Sequence, residues 1–349
     1  MSSLAKKITA EPLAPTTEGA QRQLVVNWHL TEACNYECDF CYAKWAKPES
    51  RELIHDGARA RNMLGQLFEI FRPGHSTNSV AGQGAWDSVR LNLAGGEPML
   101  YREKTLAVAR SARELGFEVS MITNGSLLNR TLLGELAPQL CLLGISVDSE
   151  RESVSREIGR ADKRTGQVLS SVAVASLFQT AREFNPDLRL KVNTVVNKLN
   201  WQEDMTSMIR CLAPGKWKVL QMLPLQNGNL AVSDAEFQEF VRRHASLGDI
   251  MSVEDNESMT ESYIMIDPLG RFYQNATTGQ TGYRYSRPIL QVGAQEAFGE
   301  LSWSESKFLS RYAPSMLGVK GNRAKAKQSV GAVKYPVFPL RVVGREKSV

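Results

Sequence analysis

Cys34-Asn35-Tyr36-Glu37-Cys38-Asp39-Phe40-Cys41 gathers three of the chain's five cysteines into one short stretch. It follows the apolar run Leu24 to Leu30, which reads as a buried strand. A loop at the carboxyl end of a strand can bring three thiolates to one point, and such loops carry much of the chemistry of α/β folds. Soft thiolates select zinc, Cu(I) or an iron–sulfur cluster, and a structural zinc site closes with four ligands. The next cysteine is Cys141, so the local set stops at three. Three thiolates on a four-iron cluster would leave one iron open to a small molecule. A zinc site completed by a residue such as His29, or three unliganded thiols, are the alternatives at this point.

Outward from this loop, strands and helices alternate. Strands are expected over 89–94, 117–123, 140–147, 188–196 and 217–223, and helices over 51–71, 103–115, 129–136, 165–184, 203–212 and 234–245. With the first strand this makes six βα units, which specify a parallel sheet covered by helices: an α/β fold, a partial (β/α)6 TIM-like barrel with a C-terminal extension. Residues 73–85, rich in Gly, Ser and Asn, read as a loop. Beyond Met251 the pattern becomes hairpin-like, with Tyr263–Asp267 and Arg271–Gln274 flanking a Pro-Leu-Gly turn. The expected division is an N-terminal extension over 1–23, a barrel over 24–250 and a C-terminal extension over 251–349.

The strands of this sheet turn polar on one face. Asn27 and His29, Arg90 and Asn92, Ser146 and Asp148, and Lys191 and Asn193 each alternate with apolar neighbours. A period of two puts each polar set on one side of its strand. Burying unpaired amides and charges in a dry core costs several kcal/mol each. A barrel with a wet, basic interior explains the pattern, and a structural network of buried polar groups is the competing account.

Composition bounds the rest. The 349 residues are 42% hydrophobic and 23% charged, an ordinary mix that argues against wholesale disorder. No apolar run is long enough to span a bilayer, and residues 1–23 lack both the apolar centre of a signal peptide and an amphipathic anchor face, so no membrane association is expected. The cysteine spacing is not a disulfide framework, and a site that needs free thiolates places the chain in the cytoplasm. The net charge of +5 is uneven: residues 318–349 hold eight Lys and Arg against Glu346 alone. A solvated tail and a tail folding over an anionic ligand both fit. Direct nucleic-acid binding fits less well, because aromatics are not interleaved with the charges.

Two stretches carry a resemblance. Cys-x3-Cys-x2-Cys with Phe40 before its last cysteine, and Gly95-Gly96-Glu97-Pro98 closing the second strand, resemble the signature and GGEP motifs of the radical S-adenosylmethionine (SAM) superfamily. Within it the chain resembles the viperin family. The match runs through Asn27 to Thr31, Thr123 to Leu127, Ile145 to Ser149, Ile158 to Arg160, Lys191 to Asn197, Asn200 to Met205, Lys216 to Gln221, and Ser262-Tyr263 with Asp267, Arg271 and Phe272. The resemblance implies a [4Fe-4S] cluster held by Cys34, Cys38 and Cys41, and SAM held by Gly95, Gly96, Glu97, Asn124, Ser146 and Arg160, with Phe40 against adenine. It implies a nucleoside triphosphate substrate (CTP, UTP or GTP), dehydrated to its 3′-deoxy-3′,4′-didehydro form, a chain terminator used in antiviral defence, with electrons from a donor such as flavodoxin or ferredoxin.

On the substrate side the matching positions are Asn27, Arg90, Asn92, Lys191, Asn193, Lys216 and Lys218. Lys and Arg are the usual partners of phosphate, which suits the basic interior read above. A solvated strand end is the alternative reading of Lys216 or Lys218. Tyr263 matches the position of a hydrogen donor, with a core aromatic as the other reading. Arg90 and Ala94 stand where animal viperins carry lysine and serine. Two rivals remain: a radical SAM peptide maturase, which usually carries further C-terminal cysteine clusters, and a nucleotide-binding antiviral effector whose cluster is structural.

Overall fold

The computed structural model describes residues 23–44, 51–74, 86–224, 228–275 and 282–310. The basic tail from 318, nearly all of the 1–23 extension and most of the 73–85 loop lie outside these residues.

Among the described residues ten strands form one sheet: β1 (Gln23–His29), β2 (Ser88–Ala94), β3 (Glu118–Thr123), β4 (Leu142–Ser146), β5 (Arg189–Val196), β6 (Lys216–Gln221), β7 (Met251–Glu254), β8 (Ile264–Ile266), β9 (Arg271–Asn275) and β10 (Tyr283–Pro288). Their order is β10-β9-β8-β1-β2-β3-β4-β5-β6-β7. Strands β1 to β6 are parallel in chain order, as right-handed βα crossovers require. The six-unit partial barrel read from the sequence is therefore present. Residues after 250 extend it on both sides: β7 pairs parallel with β6, β8 pairs parallel with β1, and β9 and β10 follow antiparallel. The sheet does not close, because β7 and β8 are not paired with each other.

Several of the helices that cover the sheet start where a side chain caps them. Helix α1 (Gly57–Phe71) begins later than the apolar pattern suggests, because the Asp56 carboxylate accepts from Arg59 N. Helix α2 (Arg102–Leu115) ends at Gly116, whose φ of 107° is a left-handed cap that a side chain would strain. Helices α3 (Arg130–Leu136) and α4 (Glu152–Glu157) follow. Helix α5 (Ser171–Phe184) starts six residues after the expected Thr165, under a Ser170 cap. Helix α6 (Thr206–Leu212) also starts late, since Glu203 is drawn away to Ser149 and Arg151. Helix α7 (Asp234–Arg243) opens with a full Ser233–Glu236 capping box.

The core lies between sheet and helices. Leu24, Val26, Trp28, Leu91, Leu93, Val119, Leu143, Ile145, Val192, Trp217 and Val219 point outward and are buried against helix residues such as Leu64, Leu67, Ala109, Leu133 and Phe178. The alternate residues point the other way. Burial along β2, β5 and β6 alternates between buried apolar and partly exposed polar positions, so the polar face predicted from the sequence lines the concave side of the sheet.

Candidate active site

Two loops at the carboxyl ends of β1 and β2 are laced together. Leu30 N donates to Ala94 O at 2.8 Å, Gly96 N to Thr31 O at 2.6 Å, and Glu97 N to Ala33 O at 2.8 Å, so the parallel ladder continues into the cysteine loop. Glycine is required for this approach. A Cβ on Gly96 would lie 2.2 Å from Ala33 O, and Gly95 adopts φ +142° with Thr31 O 2.6 Å from where its Cβ would be. The fully buried Glu97 carboxylate then ties the turn to β3, accepting from Met99 N at 2.9 Å, Thr123 Oγ1 at 2.7 Å and Asn124 N at 2.7 Å. Burial raises its pKa, against the pull of these donors. Glu97 thus supports the site through the protein.

Cys34, Cys38 and Cys41 are free and half-buried on this loop. Burial pushes the Cys38 thiol up to about 12, with the Arg160 guanidinium opposing, and raises Cys34 as well. Each of these two thiols also feels Cys41. Among the described residues no three His, Cys, Asp or Glu side chains are already gathered as a metal site, so it is the chemistry of three soft donors on one loop, two of them held protonated by burial, that suits a metal group taking the place of the protons. His29 is not poised to complete a zinc site. Its ring is fully buried, its pKa is lowered to about 3 by burial, and phenols face both nitrogens: Tyr273 Oη at 2.5 Å from Nδ1 and Tyr42 Oη at 3.4 Å from Nε2.

The proposed SAM residues surround the loop. Asn124 Nδ2 donates to Asn35 Oδ1 at 2.9 Å and points toward Cys34 Sγ at 3.9 Å; Asn35 in turn donates to Ser126 Oγ and Asp162. Arg160 forms a charge pair with Asp148, which is 1% exposed, and its guanidinium lies 5.4 Å from the Phe40 ring centroid. Phe40 itself is buried against Val154, Ile158 and Met222. Ser146, at the end of β4, sits level with Asn193 and Lys218 on the neighbouring strands. Asn35, Asp162 and Asp148 were not singled out as site residues by sequence reasoning; Asn35 lies within the cysteine motif itself, and the others show their role through contacts made in the fold.

The candidate substrate residues share the concave face. Asn92 Nδ2 donates to Asn27 Oδ1 at 3.0 Å, Ser120 Oγ donates to Asn92 Oδ1 at 2.8 Å, and Asn27 Nδ2 donates to Ile264 O at 3.2 Å, making a polar row across four strands. Lys191 and Lys216 are opposite each other in register, as are Asn193 and Lys218 one step up. Burial drives the Lys191 ammonium well below its ordinary range, and Lys218, Lys216 and Arg90 add to this while Glu254 opposes it. Lys191 is therefore close enough to feel each of the other three basic side chains. Lys216 is exposed at the strand start, whereas Lys218, with a side chain 13% exposed, donates to Tyr263 Oη at 2.5 Å and Glu254 Oε1 at 2.7 Å. Among the described residues the buried Oδ1 of Asn193 has no hydrogen-bond partner, which makes it an acceptor left for a ligand. Arrangement and charge together suit a polyanion that also carries hydroxyl groups.

Comparison with known proteins agrees. Residues 28–176 match the radical SAM superfamily. The S-adenosylmethionine-dependent nucleotide dehydratase of Psychrobacter lutiphocae is 40% identical over 301 residues, covering 85% of this chain and 97% of that protein. The protein of the same description from Pseudoalteromonas ulvae is 39% identical, covering 83% and 93%. The dehydratase RSAD2 of Danio rerio is 31% identical, covering 82% and 76%. Among solved structures, native anSMEcpe with bound AdoMet aligns with a TM-score of 0.54 at 13% identity, covering 82% of each chain, and Streptococcus suis SuiB bound to precursor peptide SuiA with 0.52 at 12%, covering 86% and 69%. At that identity these two speak for the fold alone. Three thiols on the β1 loop, a glycine pair locked against that loop's backbone, and relatives matched over most of their length lead to one assignment: this chain belongs to the S-adenosylmethionine-dependent nucleotide dehydratases of the radical SAM superfamily.

Proposed function

We propose that the chain dehydrates a nucleoside triphosphate to its 3′-deoxy-3′,4′-didehydro form. The observation that carries this is the basic face of the sheet, where Lys191 feels Lys218, Lys216 and Arg90 from the neighbouring strands. Cys34, Cys38 and Cys41 would hold a [4Fe-4S] cluster, which together with SAM would supply the radical chemistry needed to take H4′ from a ribose.

The chain's own residues do the rest. Gly95 and Gly96 bring their backbone against the cysteine loop, Glu97 and Asn124 stiffen it, and Arg160, held by Asp148, offers a fixed cation for the SAM carboxylate. The four basic residues bind phosphate oxygens, and Asn27, Asn92 and Asn193 orient the ribose. After H4′ is gone, the 3′-hydroxyl leaves as water once a hydrogen atom arrives, and the C3′–C4′ double bond forms. Tyr263 is the candidate donor of that hydrogen atom, and an electron and a proton restore its phenol; a small redox protein such as flavodoxin or ferredoxin is the source of electrons we favour. Among the described residues no helix is long and apolar enough to cross a membrane. A reducing cytoplasm, where free thiols persist, is the compartment we assign.

The test is anaerobic reconstitution followed by incubation with SAM, dithionite and each of CTP, UTP, GTP and ATP. We expect 5′-deoxyadenosine release stimulated by at least one nucleotide, and a nucleotide product lighter by one water. Release stimulated by peptides and by no nucleotide would overturn the proposal in favour of a maturase. Absence of SAM cleavage under every condition would leave a cluster of purely structural role.

A further inference from the structure

The sheet has a seam. Strands β7 and β8 flank it, and no backbone hydrogen bonds join them, since one is the partner of β6 and the other of β1. Side chains cross it instead. Glu254, the last residue of β7, is 8% exposed. Its Oε1 accepts from Lys218 Nζ at 2.7 Å, and its Oε2 accepts from the Tyr263 hydroxyl. The ring is closed by Lys218 Nζ, which donates to Tyr263 Oη at 2.5 Å and lies 4.8 Å from that ring's centroid. Lys218 stands on β6 and Tyr263 immediately before β8, so the three groups form a clasp from one lip of the seam to the other. The backbone on the Tyr263 side is fixed as well: Gln274 Nε2 donates to Tyr263 O at 2.7 Å, and Ser262 Oγ to Ser258 O at 2.6 Å.

We propose that Glu254 is a positioning residue for the dehydration, aiming the Tyr263 hydroxyl and the Lys218 ammonium into the concave face as one unit. This rests on the dehydratase reading and on Tyr263 as hydrogen donor. A buried carboxylate is tolerated when its oxygens are occupied by strong donors, and here both donors are groups the reaction uses. A phenol alone can rotate its hydroxyl freely, whereas a phenol held between a carboxylate and an ammonium has one preferred direction. An anion that draws Lys218 toward itself leaves Tyr263 bonded to Glu254, so arrival of the nucleotide and the aim of the phenol are linked through one side chain.

The experiment compares wild type, Glu254→Gln, Tyr263→Phe and the double variant, using whichever of CTP, UTP or GTP the wild-type protein turns over fastest. The readout is dehydrated nucleotide formed per 5′-deoxyadenosine released, with KM for the nucleotide measured alongside. We expect Glu254→Gln to lower that ratio by roughly tenfold or more, because displacement of a reacting group by about an ångström has effects of this size, while KM changes far less. The double variant should be no worse than Tyr263→Phe, since both changes disable the same group. Glu254→Asp keeps the charge and should recover part of the lost coupling; it also carries the comparison with Tyr263→Phe if the glutamine variant does not fold. The proposal is overturned if Glu254→Gln keeps a wild-type ratio, if its effect adds in full to that of Tyr263→Phe, or if Tyr263→Phe has no effect. Failure of the dehydratase reading is distinct: wild-type protein would then make no dehydrated nucleotide at all.

Discussion

One methyl group at Gly96 should separate the two loops that build the site. In Gly96→Ala the new Cβ would begin 2.2 Å from Ala33 O, 2.6 Å from Glu32 O and 2.7 Å from Ala33 C, all of them backbone atoms that cannot swing aside. Close carbon–oxygen contacts settle near 3.3 Å, so the loops must part by about 1 Å. That movement breaks or stretches the Gly96 N to Thr31 O bond of 2.6 Å and the Glu97 N to Ala33 O bond of 2.8 Å. Each is worth about 1 kcal/mol net, and forced overpacking adds about 1–3 kcal/mol. A total of about 3–5 kcal/mol corresponds to a fall in melting temperature on the order of 10 °C for a domain of this size. The same displacement moves the thiols relative to the SAM residues, and a shift of about 1 Å can lower a rate by about 100-fold. Thermal unfolding followed by near-UV circular dichroism, with 5′-deoxyadenosine release measured on the same preparations, would check both. Gly65→Ala is the control: it lies in α1 with no atom within 4 Å of its added methyl, so it should raise stability by about 0.5–1 kcal/mol. If Gly96→Ala melted within about 1 °C of wild type and cleaved SAM at the wild-type rate, the interlocked-loop account would be wrong.

Two further outcomes follow from the charges and thiols. Because burial, reinforced by neighbouring cations, depresses the Lys191 pKa, a triphosphate that restores it must bring a proton with it. Nucleotide affinity should therefore fall as pH rises between the free and bound values, by up to about tenfold per unit. Above about pH 7.5 the phosphates no longer titrate, and calorimetry in buffers of different ionisation enthalpy should show proton uptake that Lys191→Met removes. Equal uptake in the two proteins refutes it. Cys38→Ala should lose iron and the brown absorbance of a cluster after anaerobic reconstitution while keeping its far-ultraviolet dichroism; undiminished iron loading would remove Cys38 from the ligand set.

Much of this was legible in the sequence because the relevant signals are local. The period-two alternation of Arg90, Asn92, Lys191 and Asn193 with apolar neighbours announced a polar concave face, and the spacing of Cys34, Cys38 and Cys41 marked the loop. Helix starts were misplaced where a capping side chain overrides apolar periodicity, as Ser170 and Asp56 do. Strand β7 was missed because four residues, Met251 to Glu254, carry too short a pattern, and β10 because Arg284, Arg287 and Pro288 break its alternation. Glu254 was invisible for a different reason: its meaning comes from a lysine on the neighbouring strand and a tyrosine across the seam. The same holds for Asp148, whose partner Arg160 is reached only after α4 turns the chain back. Glu97 and Phe40, read as SAM contacts, are seen in the structure tied to Thr123 and Asn124 and packed beneath Arg160.

The residues after 250 matter beyond the hydroxyl and ammonium they help to aim. A six-stranded parallel array would leave the outer flanks of β1 and β6 as raw rows of backbone donors and acceptors, templates for unwanted association with other chains. Here β8 covers one flank and β7 the other. The outermost strand on the β1 side, β10, ends the array with Arg284, Arg287 and Pro288, residue types that discourage a further strand from adding. Removal of this region would lay bare the outer flanks of β1 and β6 and so favour edge-to-edge self-association.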